Sequence, residues 1–331
     1  MSQIAGTPGG GAAVGNSDAF IEAQQYSDFI LTNLHDGMLP TSLYRNVSDF
    51  ESGTVLNIKT VGTVTLQEIT ENEDLTYNPI DSGTVQLQIS DYVGAAWYIT
   101  DILRQDGSQV EVLHSQHASE STRAIQENFE TRFLATLNAA QTDSDPNNIN
   151  GFSHRFLATG TNATLSENDL VDMRLAFDKA NAPVGGRIAI VDPVSAAAFS
   201  KRALLTSNLD AASPLTQTLV KDGFHKEHQF VTEIYGWSIW TSNRLPTLAG
   251  GASVDGTDNA PAEGGSANVF MAVGDDQVKP GMVAWRQEPK VETGRNRSKK
   301  RDEFDTTARW GVGVQRLDTL GVVVTSLTAT A

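Results

Sequence analysis

The sequence predicts an α+β fold. A long two-stranded β-hairpin, one very long helix and a β-rich C-terminal half follow one another along the chain. Three observations carry this. In residues 84–90, Val85, Leu87 and Ile89 alternate with Thr84, Gln86, Gln88 and Ser90, a period of two that marks a half-buried strand. In residues 108–141, Ala118, Thr122, Ile125, Phe129, Phe133, Leu137 and Ala140 step by three or four, one buried helical stripe. Beyond residue 185, short apolar runs recur between Gly, Pro, Asn and Asp, the punctuation of strands and turns.

Taken in order, residues 1–18 are Gly-rich and read as a mobile tail. Residues 19–34 carry Phe20, Ile21, Phe29, Ile30, Leu31 and Leu34, and predict a short helix or an extended arm. Residues 55–70 read as one long strand in which Leu56, Ile58, Val64 and Leu66 share a parity and Gly62 marks a bend. Its partner is 84–90, across an acidic 13-residue loop at 71–83 that is too long for a tight turn. A two-stranded hairpin is marginal alone, so this one needs support. An extended run at 95–100 leads to the long helix, where Ser108 and Glu111 form a capping-box pattern and Arg123 pairs with Glu127 or Glu120.

Residues 142–150 read as a turn cluster. Ser166 caps a helix over 167–180, with Leu170, Met173 and Phe177 on its apolar face. Residues 187–191 predict a strand stopped by Asp192 and Pro193, and 194–205 a helix. Residues 230–242 predict two strands about Gly236, and 248–268 a surface loop. The last strands are expected near 269–274, 282–292, 305–316 and 319–326.

The composition is that of a folded chain: 331 residues, 39% hydrophobic and 19% charged. With 40 acidic against 24 basic residues the formal charge is −16, which repels phosphate and argues against a dedicated nucleic-acid binder. Cysteine is absent, which excludes disulfides, thiolate catalysis and thiolate metal sites and fits a cytosolic folding compartment. The N-terminus has neither the basic start nor the apolar core of a secretory signal, and no apolar run reaches the ~18 residues of a membrane span.

A search for chemistry yields little. His114 and His117, and His225 and His228, stand three apart, but no third metal ligand accompanies either pair. Asp143, Asp145 and Asn147 begin like a calcium loop. Asn148 stands where that loop requires glycine and His154 where it requires a bidentate acid, so the segment reads as a turn. Gly9, Gly10 and Gly11 precede no strand–helix unit, and no phosphate loop or nucleophile elbow occurs. No catalytic residue and no cofactor are expected. One charge anomaly remains. Lys290, Arg295, Arg297, Lys299, Lys300 and Arg301 place six basic residues in 12 positions. They read as a solvated loop, a nucleic-acid patch, or a complement to Glu71, Glu73 and Asp74 at the hairpin tip of another copy.

The order of elements, with three stretches, carries a resemblance. The passage Glu233–Pro246 is a strand–Gly–strand–Asn-x-Leu-Pro sequence, Ile188–Pro193 precedes a helix, and Ala308–Val324 holds closing strands. Together they resemble the major capsid proteins of tailed bacteriophages with the Hong Kong 97-like fold. The resemblance implies an N-terminal arm at 1–50, an extended loop at 51–92 lying over a neighbouring subunit, and a peripheral domain at 93–155 with a spine helix at 108–141. It further implies an axial domain at 156–285 and return strands of the peripheral domain at 286–331.

It also implies self-assembly into pentamers and hexamers of an icosahedral head around double-stranded DNA, bound non-specifically. A separate scaffold protein, a portal and an optional decoration protein would be partners, with assembly in the host cytoplasm and no membrane. Some relatives crosslink a loop lysine to an asparagine; Lys59 and Asn296 lie in the corresponding regions, but nothing marks them as partners. An encapsulin-like cellular shell, and a soluble hydrolase or carbohydrate-binding module, stay open as alternatives.

Overall fold

The computed structural model describes residues 39–48, 53–62, 66–68, 71, 74, 77, 82–107, 110–142, 144–198 and 230–328. The expected N-terminal arm up to residue 38, Ser108 of the expected capping box, Asp143, and the histidine pair His225 and His228 lie outside them. In chain order the elements are β1 (Arg45–Asn46), β2 (Val55–Val61), β3 (Ser82–Gln88), β4 (Asp91–Thr100), α1 (Asp101–Asp106) and α2 (Val110–Ala139). There follow β5 (Asn148–Ile149), β6 (Phe152–Ser153), β7 (Arg155–Leu157), α3 (Glu167–Lys179), β8 (Arg187–Val191), β9 (Phe230–Ile234) and β10 (Trp237–Thr241). The chain closes with β11 (Thr247–Leu248), β12 (Gly265–Ala272), β13 (Gly281–Asn296), β14 (Arg301–Val314) and β15 (Leu320–Ser326).

Two sheets organise them. A four-stranded sheet has the order β1-β13-β14-β4, and a seven-stranded sheet runs β7-β15-β12-β8-β10-β9, with β11 beside β12. β8, β12 and β15 are buried along their whole length, so their apolar residues run without alternation, and the few polar ones, Arg187, Ser266, Asn268, Thr325 and Ser326, are buried with them. Leu170, Met173 and Phe177 of α3 cover one face, meeting Ala189, Val191, Phe270 and Val323. Phe133 and Leu137 of α2 cover the other, meeting Ile188, Ile190, Val269 and Met271. That cluster also contains Val283, Ala308 and Trp310 of the four-stranded sheet. The C-terminal half of α2 is therefore a wedge shared by both sheets, and its buried side is the stripe of Ile125, Phe129, Phe133 and Leu137.

Local signals explain the boundaries. Ser166 accepts from Asp169 N–H while Asp169 accepts from Ser166 N–H, a reciprocal capping box that starts α3. Tyr235 and Gly236 both take positive φ, 49° and 84°, as a two-residue turn between antiparallel strands requires. Pro193 opens a helical stretch whose described part is 193–198.

Three expectations change. The strand expected at 55–70 ends at Val61, because β3 offers seven partners and each is used once, Val55 opposite Gln88 through Val61 opposite Ser82. The loop expected at 248–268 ends at Gly264. Gly265, Ser266 and Ala267 begin β12, where both faces are covered and small residues fit. β15, assigned by resemblance to the peripheral return strands, lies between β7 and β12 in the seven-stranded sheet. Its Leu320 and consecutive Val322, Val323 and Val324 suit a layer buried on both sides, whereas the alternating β14 suits one half exposed.

Candidate assembly surfaces

The hairpin is built on its own chain at the base. Leu56 faces Leu87 and Ile58 faces Val85 across the β2–β3 ladder. Leu87 and Ile89 are buried with Met282 and Ala284 of β13, and Val47, Leu56, Ile58 and Val85 pack around them. Part of the support that the hairpin needs therefore comes from its own chain. The approach depends on two glycines of β14. A Cβ on Gly311 would stand 2.4 Å from the Gln88 carbonyl oxygen, and one on Gly313 would stand 2.8 Å from Leu87 Cδ1. Past Val61, among the described residues, Leu66 is 95% and Tyr77 91% exposed, and Glu68, Glu71 and Asp74 are exposed with them. Glu73 lies outside the described residues.

The opposite end of the four-stranded sheet carries the basic cluster. β13 and β14 run as a paired ribbon to a turn at 297–300. Arg295 donates both guanidinium arms to Asp101, at 2.6 and 2.7 Å, and one also to Asp302 at 2.9 Å. Arg104 completes the group on Asp302. Hydrogen bonding from Arg295 holds both carboxyls below the usual carboxylate range, and the same contacts raise Arg295. Arg301 donates to Glu303 at 2.7 Å, which with a hydrogen bond from Asn296 lowers the Glu303 carboxyl, and its guanidinium also stacks 4.3 Å from the Tyr98 ring centre. Lys290 pairs with Glu292.

Three members of the cluster are thus committed within the chain. Arg297, Lys299 and Lys300 are exposed and form no ion pair among the described residues. Beside them stands a corner the sequence reading missed. Thr100 Oγ1 accepts from Leu103 N–H and starts α1, a cap that the Thr100–Asp101 pair could have signalled. Around this corner Ile102, Leu103, Val112 and Leu113 are all more than half exposed.

The remaining candidates resolve into structure. Trp97 Nε1–H donates to His114 Nδ1 at 3.2 Å, and His117 meets the Trp97 ring edge-on, so this pair packs on an aromatic cluster with Phe304. Asp145 and Asn147 belong to a turn in which Asn147 takes φ 55° and donates to the Leu317 carbonyl. A groove of 620 Å³ lies between residues 39–46, α2 and β13, lined chiefly by Tyr44, Phe129, Phe133 and Trp285. Among the described residues no group of three His, Asp or Glu side chains could hold a metal, and no helix is long and apolar enough to cross a membrane.

A sequence profile described as phage capsid protein matches residues 82–325. The chain belongs to the phage capsid protein family. It is a structural protein of the phage capsid. Its fold is similar to the capsid of cyanophage P-SCSP1u, with a TM-score of 0.67, 16% identity, and coverage of 92% of this chain and 93% of that one. It is likewise similar to a chain of Mycobacterium phage Che8, with a TM-score of 0.63, 17% identity, and coverage of 91% and 96%. The mature capsid of bacteriophage PhiM1 gives a TM-score of 0.64 at 14% identity, covering 93% of each chain. No curated protein is similar enough in sequence to be matched.

In this capsid protein the Asn-x-Leu-Pro passage is a fastener. Arg244 donates to Glu127 at 3.1 Å and to Glu130 at 3.4 Å, while Glu130 also accepts from Ser242 Oγ and Leu39 N–H. The buried carboxylate has a partner on each side, which is what a charge removed from water requires. The network ties the seven-stranded sheet and the segment entering at Leu39 to α2, so the strand pair and the helix hold a fixed angle.

Proposed function

We propose that this capsid protein assembles, through a Hong Kong 97-like fold, into pentamers and hexamers of an icosahedral head enclosing double-stranded DNA. On this reading the four-stranded sheet with α2 is the peripheral domain and the seven-stranded sheet is the core of the axial domain. The observation that carries it is the hairpin. Its base is seated on its own sheet, yet past Val61 it carries Leu66 and Tyr77, which no described residue covers and which a second copy would cover. Repeated identical contacts between copies are the economical way to complete such surfaces. The formal charge of −16 supports a container, since a strongly basic lining would bind the genome and hinder its packing.

Glu71, Glu73 and Asp74 of one copy face the basic turn of the next. Arg297, Lys299 and Lys300 supply the intermolecular charge, and Arg295 and Arg301 orient the turn through their own carboxylates. A scaffold protein, a portal and an optional decoration protein act with the shell, which forms in the host cytoplasm. The test is electron microscopy of the purified chain, alone and co-expressed with the scaffold protein of its phage. Closed shells of uniform diameter with fivefold and sixfold capsomers are expected, and nuclease-protected double-stranded DNA in particles from infected cells. Monomers under every assembly condition would overturn the proposal.

A further inference from the structure

The two edges of the four-stranded sheet are unlike. At one edge, β1 covers β13 only at Met282 and Val283, and β13 then carries Arg286, Glu288, Pro289, Lys290 and Glu292. Charges and proline guard an open edge against pairing with another chain. At the other edge, β4 pairs with β14 alone. Between Tyr92 and Tyr98 it has neither charge nor proline.

Register fixes which backbone groups of β4 are open. Thr100 stands opposite Arg301, so the next step of the ladder sets Asp101 opposite Lys300, and Asp101 N–H donates to the Lys300 carbonyl at 3.1 Å. Hydrogen-bonded pairs alternate along an antiparallel ladder, so Val93, Ala95, Trp97 and Ile99 bond to β14. Tyr92, Gly94, Ala96 and Tyr98 therefore turn their N–H and C=O groups to the edge, where no described backbone group meets them. The same four side chains are exposed, Tyr92 at 66% and Tyr98 at 56%. Counted outward from Ala95 the strand nearly mirrors itself. Gly94 and Ala96 come first, then Val93 and Trp97, then Tyr92 and Tyr98.

Resting on the capsid reading above, we propose that β4 of one copy pairs antiparallel with β4 of a second copy about a twofold axis at Ala95. Tyr92 of each copy then stands opposite Tyr98 of the other, Val93 opposite Trp97, and Gly94 opposite Ala96. The axis sets even positions against even positions, and those are the positions whose backbone groups are open. Four hydrogen-bonded pairs form, about eight backbone bonds. Gly94 and Ala96 keep the centre free of bulk, and the tyrosines make an aromatic cross-strand pair at each end. Seven paired residues make a strip about 23 Å long, which at roughly 10 Å width buries on the order of 500 Å² in all, below the ~1,200 Å² of a stable interface. The seam therefore forms only where other contacts of the shell bring two edges together. A contact of this isologous kind closes on itself, so it joins one ring of subunits to another and does not extend a ring.

The chain has no cysteine, so the single variant Ala95→Cys reports the axis. Residues opposite each other at a non-hydrogen-bonded position have Cα atoms about 4.5 Å apart, within reach of a disulfide, whereas Ala96 of the two copies stands on a diagonal of about 7–8 Å. Oxidised shells of Ala95→Cys are expected to give a thiol-sensitive dimer from most chains and nothing larger, and shells of Ala96→Cys little. Amide exchange over residues 91–100 of the unsubstituted chain should slow at least tenfold between the unassembled chain and the shell. Ala96→Lys, exposed in the single chain, puts two cations beside the axis; it should cut shell yield severalfold without changing the melting temperature of the unassembled chain. Intact shells without the Ala95→Cys dimer overturn the pairing. Fast exchange in them means an open edge, and slowed exchange means a strand of another kind. A dimer without slowed exchange is chance collision and overturns it too, and so does undiminished yield of Ala96→Lys, even if Ala95→Cys fails to assemble. All these results leave the capsid reading standing, whereas failure of the unsubstituted chain to form shells under any condition overturns that reading itself.

Discussion

Replacing Gly311 by alanine perturbs the seat of the hairpin at one point. The added Cβ would stand 2.4 Å from the Gln88 carbonyl oxygen and 2.8 Å from Ile89 Cα. Both are backbone atoms, so no side-chain rotation relieves them. Restoring an ordinary separation of about 3.4 Å moves β3 by about 1 Å off β14, which loosens Leu87 and Ile89 on Met282 and Ala284. Overpacking of this kind costs about 1–3 kcal/mol. With tenfold per 1.4 kcal/mol, amide exchange at the hairpin base should quicken roughly 5- to 150-fold. Gly313→Ala is the control. Its Cβ would meet Leu87 Cδ1 at 2.8 Å and Met282 Cε at 3.1 Å, both ends of flexible side chains, so a smaller effect is expected. Hydrogen exchange with peptide-level mass spectrometry over residues 82–90 measures both. Equal exchange in the two variants, or an unchanged base in Gly311→Ala, would refute the claim that backbone contact seats the hairpin.

Three further outcomes are expected. Arg244→Met removes the partner of a buried carboxylate and should lower stability to denaturant by about 3–5 kcal/mol, with Glu130→Gln recovering part of it in the double variant; a loss below ~1 kcal/mol would show that Ser242 and Leu39 suffice. The Asp101 and Asp302 carboxyls are depressed in the folded chain, so their stabilising effect is present above the unfolded value of about 3.9 and is lost as pH falls through the folded one. Protection at 101–107, taken relative to the intrinsic exchange rate at each pH, should therefore fall below about pH 4 in the parent chain, and Arg295→Gln should show the loosened corner already at neutral pH. Lys299→Glu with Lys300→Glu should reduce shell yield in sedimentation, and adding Glu71→Lys and Glu73→Lys should restore part of it. Each exposed pair is worth only ~0–1 kcal/mol, so the effect depends on its repetition around the shell, and unimpaired assembly would sink the charge pairing.

Much of the architecture was legible because its causes are local. The alternation of Val85, Leu87 and Ile89 required a strand, the stripe from Ile125 to Leu137 required a helix, and Ser166 and Gly236 marked a start and a turn. Each depends on side-chain period or on a hydrogen bond a few residues away. The order of these elements also carried the resemblance to tailed-phage capsid proteins. The candidate surfaces were legible only as charges. A run of six cations is visible in sequence, but which of them are free is decided by residues far away, since Asp101 takes Arg295 from 194 positions distant.

The tertiary structure decided the rest, for reasons of space and not of pattern. β15 joins the seven-stranded sheet because only a layer covered on both sides can hide Leu320 and the consecutive valines 322–324. The hairpin finds its own footing because Gly311 and Gly313 leave room for β3 on β14, a fit that no periodicity encodes. The exposed corner at Ile102 to Leu113 exists because the chain must turn from β4 into α2 at the edge of the sheet. Sequence alone determined most of the elements, though not α1 or the ends of β2 and β12, and the sign of the charge at each end. Only the fold decided that the acidic and basic ends point apart, because that depends on strand register over the whole length of β14.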